Sequence, residues 1–73
     1  AIIAAELSAS VNRFLNTLSE PALNVFLRRY FFLESAAEIA ERYAMKPGAV
    51  AVSLHRTRAA LREHLRREGF FDE

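Results

Sequence analysis

No cysteine occurs in the 73 residues, which excludes a disulfide framework, a thiolate zinc site and a thiol nucleophile and suits a reducing compartment such as the cytoplasm. Glycine and proline supply two residues each, too few for a disordered or linker-rich chain. Long apolar runs are missing too. Nothing approaches the roughly 18 residues of a membrane span, and Ala1-Ile2-Ile3-Ala4-Ala5 follows no basic stretch that would make a signal peptide. What is present is dense in apolar side chains, 52% of the sequence against 26% charged. A chain of this length has room for one core, so residues 1–73 are read as a single domain hiding about 60% of its unfolded surface. The first residue is alanine, and the sequence is expected to be a piece of a longer protein.

A surplus of one charge sign is absent from the whole, which is formally +1, yet present in a part. Residues 46–67 carry Lys46, Arg56, Arg58, Arg62, Arg66 and Arg67 against Glu63 alone, while residues 1–45 are slightly acidic. Such a basic block is either a solvated helix face or the footprint of a nucleic acid.

Apolar periodicity predicts four helices and no strand. Ile3, Leu7, Val11, Phe14 and Leu18 recur at steps of three and four, the stripe of a first helix ending near Leu18. Ser19, Glu20 and Pro21 form a start signal: a hydroxyl cap, an acid at the positive end of the dipole, and a proline where no intrahelical N–H is lost. Leu23, Phe26, Leu27 and Tyr30 give the second stripe, and the unbroken Phe31-Phe32-Leu33 predicts a buried turn. Ser35-Ala36-Ala37-Glu38 has capping-box spacing for a short third helix with Ile39, Ala40 and Tyr43 inward. Pro47 opens a fourth, which nothing interrupts until Gly69, a residue suited to a C-terminal cap. Its inward stripe is Val50, Leu54, Thr57, Leu61 and Leu65; Ala49, Val52, His55, Arg56 and Ala59 lie opposite. Phe70-Phe71 is expected to fold back on the helix or to fill a partner's groove.

A short capped helix, a tight turn and a longer helix describe a helix-turn-helix, with Ala40 at the crossing, Ala44 in the turn and Val50 packing the second helix on the first. An ordinary helical hairpin has the same spacing. The residues themselves add a resemblance. Asn24 through Phe31, Ala37-Glu38-Ile39-Ala40-Glu41-Arg42-Tyr43, Gly48-Ala49-Val50 and Ser53-Leu54-His55-Arg56-Thr57-Arg58, with Leu61 and Leu65, resemble region 4 of bacterial RNA polymerase sigma factors, especially the extracytoplasmic-function type. The likeness runs from about Phe14 to Leu65. It implies an all-α, four-helix domain with a C-terminal helix-turn-helix that binds the promoter's −35 element, without cofactor or catalysis. It also implies a second partner, the flap of the polymerase β subunit, for which Ile2, Ile3 and Phe31-Phe32-Leu33 are candidates, and an anti-sigma protein as a further one. The rival reading is a sigma-like interaction module that docks polymerase, an anti-sigma protein or another copy of itself. The DNA-binding tail of a two-component regulator shares the fold but usually lacks the Leu-His-Arg-x-Arg run.

The sequence departs from the family pattern at the tip. Glycine is frequent where Ala44 stands, a polar cap and an acid where Lys46 and Pro47 stand, threonine and lysine at Ala49 and Ala51, and arginine at Ser53. Major-groove bases are read by donor and acceptor patterns, and Ala49, Ala51 and Val52 supply none beyond contact with a thymine methyl. The expected DNA-binding set is therefore Lys46, Pro47, Gly48, Ala49, Ala51, Val52, His55, Arg56 and Arg62, joined by Arg42 and Arg28, with phosphates carrying most of the affinity. About five phosphate contacts give a slope of log K against log salt near −4.5.

The remaining chemical side chains have plain readings. His55 and His64, nine residues apart, project about 180° from each other on one helix, so neither a shared metal nor a catalytic pair is expected. Tyr30 and Tyr43 read as core aromatics with wet hydroxyls, and Arg66 and Arg67 as balance for the negative end of their helix. No nucleophile with its base, phosphate loop or metal cluster is apparent.

Overall fold

The computed structural model describes the backbone of residues 2–71 and side chains from Ala4 to Phe71. Four helices follow in order: α1 (Ile2–Leu15), α2 (Glu20–Tyr30), α3 (Ala36–Arg42) and α4 (Pro47–Arg67). The candidate contacts of the Ile2 and Ile3 side chains lie outside the described residues.

Local chemistry sets the boundaries. At α2 the Ser19 hydroxyl accepts from the Ala22 amide, with Pro21 in the first turn. At α3 both halves of the capping box are made: Glu38 N–H to Ser35 Oγ at 3.1 Å and Ser35 N–H to Glu38 Oε1 at 2.7 Å. The helix then closes in a Schellman arrangement, Met45 N–H to the Ala40 carbonyl at 2.8 Å and Ala44 N–H to that of Glu41 at 3.4 Å. That closure needs a left-handed residue, and Ala44 takes φ 54°. The same arrangement ends α4, with Phe70 N–H on the Leu65 carbonyl and Gly69 at φ 89°, as the glycine signal predicts. α1 ends at Leu15, three residues short of the expected boundary, because Thr17 and Leu18 turn back onto the carbonyls of Phe14 and Leu15.

The core forms where α2 and α3 cross α4. Val25, Ile39, Ala40, Val50 and Leu54 are buried together, with Ala36, Tyr43 and Met45 packed around them. Burying each Val, Leu or Ile contributes about 1.5–3 kcal/mol, and Ala40 lets α3 and α4 approach. Val25, omitted from the expected α2 stripe, is inside, while Tyr30 from that stripe is exposed. The predicted buried turn is corrected outright: Phe31, Phe32 and Leu33 are 67%, 60% and 78% exposed. Leu33 adopts φ 58°, which turns the chain off the end of α2 before all three side chains can fold under it.

α1 packs chiefly against the far half of α4. Phe14 is buried there, its ring centroid 5.5 Å from that of His64. Leu7, expected inside, is 38% exposed, whereas Ser10 is fully buried. Leu61 and Leu65 are half-buried, and the expected Phe70-Phe71 pair divides: Phe70 is half-buried beside Ala9 and Arg13 of α1, whereas Phe71 is 41% exposed.

Candidate nucleic-acid interface

The α3–α4 pair fixes what α4 presents to solvent. Val50 and Leu54 lock one side of α4 into the crossing with α3, and Thr57 continues the buried stripe. At 3.6 residues per turn the other sides must face out. Lys46, Pro47, Gly48, Ala49, Ala51, Val52, His55, Arg56 and Arg62 are all exposed, so the fold brings nine of the eleven expected residues onto the outward surface of one element. Lys46 is the N-cap of α4 and its side chain cannot accept a hydrogen bond, so the first turn of α4 has no side-chain cap. Neither Lys46 nor Arg56 pairs with a carboxylate among the described residues. Beside them runs a groove of about 530 Å³ between the start of α2 and α4, bounded by Ser19, Pro21, Val25, Gly48, Val52 and Arg56.

Arg28 and Arg42 are placed differently. Both turn to Glu34, in the segment joining α2 to α3. Arg42 Nε and Nη2 donate to the two carboxylate oxygens at 3.2 and 2.6 Å, a two-point fork. Arg28 Nη1 lies 3.7 Å from Glu34 Oε2, its Nε donates to the Tyr43 hydroxyl at 3.4 Å, and its guanidinium covers the Phe32 ring at 4.4 Å. The Arg42 hydrogen bond, reinforced by the charges of Arg42 and Arg28, holds the Glu34 carboxyl below its ordinary range. Arg58 likewise is engaged, donating to the Tyr30 hydroxyl at 2.9 Å. Sequence reasoning passed over Glu34, since an eight-residue separation from Arg42 has no helical meaning across a loop.

A serine, a histidine and a glutamate also meet between α1 and the end of α4. His64 Nε2 stands 3.0 Å from both the Ser10 hydroxyl and the Ser10 carbonyl, and the hydroxyl donates to Glu68 Oε1 at 2.7 Å. Arg13 donates to the same carboxylate oxygen. A carbonyl only accepts, so Nε2 carries a proton, and the serine's own proton points at Glu68. A nucleophilic serine needs the opposite polarity, with Nε2 accepting from the hydroxyl and the carboxylate on the other ring nitrogen. The cluster is thus a polar fastening of α1 to α4. Hydrogen bonds from Ser10 and then Arg13 lower the Glu68 carboxyl, helped by the charges of Arg13 and His64.

A capped short helix, a left-handed turn and a long exposed second helix on an all-α frame define a helix-turn-helix protein. The sequence-family model of sigma-70, region 4, matches residues 8–61, well over half of the chain. The chain belongs to that family, a DNA-binding rather than enzymatic one, which implies promoter −35 recognition and partnership with RNA polymerase in transcription initiation. No curated protein and no solved structure matches it. No helix among the described residues is long and apolar enough to cross a membrane.

Proposed function

We propose that this domain is the −35-binding part of an extracytoplasmic-function sigma factor, acting in the cytoplasm by laying the outward flank of α4 in the major groove. The observation that carries this is the exposure of Val52, His55 and Arg56 on the side of α4 turned away from the core, with Lys46 exposed at its N-cap. Phosphates supply most of the affinity. Lys46 and Arg56 border the groove face, whereas Arg28 and Arg42 are held on Glu34. Two phosphate contacts, at Lys46 and Arg56, give a slope of about −1.8 in log K against log salt. Sequence preference is weak, resting on methyl contact from Ala49 and Val52, on groove shape and on bridging water.

The test is selection from a pool of random duplexes at two salt concentrations. Enrichment of a single motif at both supports a promoter reader, and unselective, salt-sensitive retention supports a phosphate clamp without sequence choice. No retention at either removes the DNA reading.

A second reading, protein docking, is favoured by one observation, the apolar exposure of Phe31, Phe32 and Leu33. In the same factor this surface suits the polymerase β flap or an anti-sigma protein. Phe31→Ser is expected to weaken binding to polymerase core and to leave duplex binding intact.

A further inference from the structure

Glu34 is 15% exposed and faces two arginines with one carboxylate. Its aim is set by the backbone: Leu33 at φ 58° reverses the chain, and the Glu34 amide donates to the Arg28 carbonyl at 3.0 Å, which turns the side chain back between α2 and α3. The fork on Arg42 uses Nε and one Nη, the same pair of donors with which a guanidinium grips a backbone phosphate. Arg28 is held on three sides, by Glu34, by the Tyr43 hydroxyl and by the Phe32 ring. A phosphate and Glu34 therefore cannot occupy that Arg42 face together.

We propose that Glu34 withholds Arg28 and Arg42 from DNA, so that this one carboxylate sets how many phosphates the domain neutralises. The inference rests on the DNA-binding reading and adds an internal competitor to it. An acid in this loop keeps unselective affinity low, leaving the flank of α4 to decide where the domain stays. Replacing it with a neutral isostere removes the charge that competes with a phosphate at both guanidiniums, and Arg28 keeps only its neutral contacts with the Tyr43 hydroxyl and the Phe32 ring.

The experiment is a fluorescence anisotropy titration of the whole chain and of Glu34→Gln on one random duplex across a salt series. For Glu34→Gln the slope is expected to steepen from about −1.8 to about −3.6, so the affinity lost between about 50 and 200 mM salt grows by roughly tenfold. Adding Arg42→Gln to that variant should return the slope halfway. An unchanged slope in a folded Glu34→Gln, with the parent chain binding normally, overturns the clamp and leaves the DNA reading standing. Absence of binding by both chains overturns the DNA reading and the clamp with it. A readout independent of the variant's folding is the Arg Nε–H signal set of the isotope-labelled parent chain during duplex addition. The Arg56 signal is expected to shift while those of Arg42 and Arg28 stay, and movement of the Arg42 signal overturns the proposal.

Discussion

Ala44 and Leu33 both stand in the left-handed backbone region, at φ 54° and 58°, where a Cβ crowds the following carbonyl. Each such residue costs roughly 1–2 kcal/mol. For Ala44 the conformation is compulsory, because the turn between α3 and α4 closes through its N–H and that of Met45. Ala44→Gly is expected to raise stability by about 1 kcal/mol, the relief of the clash less the extra freedom of glycine in the unfolded chain, read as a higher urea midpoint with an unchanged slope. Ala51, exposed on α4 beside the groove face, adds nothing to phosphate binding as it stands. Ala51→Lys should tighten duplex binding and steepen its salt slope by about 0.9. Unchanged titration curves would place residue 51 away from the phosphates. Ala44 was legible in the sequence through the spacing of the motif, but Leu33 was not. No glycine or asparagine marks its turn, and three adjacent apolar side chains argue for burial when read without the backbone that swings them out.

Among the helices, α1 differs from the rest in how it is held. The other three share one apolar core, whereas α1 rests on Phe14 and on the fastening of Ser10, His64, Glu68 and Arg13 to the end of α4. Ser10→Ala strips a donor from Glu68 and an acceptor from His64, each of which keeps its other partner, and losing such hydrogen bonds costs about 0.5–1.5 kcal/mol apiece. The loss is expected to appear first as faster amide exchange in α1, with α3 and the first turns of α4 little changed. Acid should do the same. The Glu68 carboxyl is lowered in the folded state, so its contribution is complete above the ordinary glutamate value and disappears as pH falls through the lower folded one. Lower α1 protection, measured against the intrinsic exchange rate at each pH, is therefore expected below about pH 4, and α1 protection that ignored acid while the core melted would contradict the fastening. Helix starts were legible because Ser19, Ser35-Glu38 and Pro47 act locally. The fastening was not, since Ser10 lies 54 residues from His64 and sits on a stripe where only apolar residues signal burial.

At the scale of the whole molecule, 39 × 23 × 18 Å in extent, a basic helix flank and an exposed aromatic turn meet through the bond from Arg58 to Tyr30. The basic surplus of residues 46–67 lies along the outer side of α4, and the exposed aromatics lie at the turn after α2. The charge block and the helix count were visible in sequence, and with them the face of α4 that carries the candidate site. The number of cations free to act was not, because only the folded loop brings Glu34 to Arg28 and Arg42. The outer flank of α4, as proposed, meets a duplex through its phosphates. The most direct measurement is the salt dependence of duplex binding by the intact chain beside its Arg56→Ala variant. A slope of about −1.8 that becomes shallower by about 0.9 in the variant is expected; a slope near zero, or one that Arg56→Ala leaves unaltered, would rule out phosphate contact along this flank.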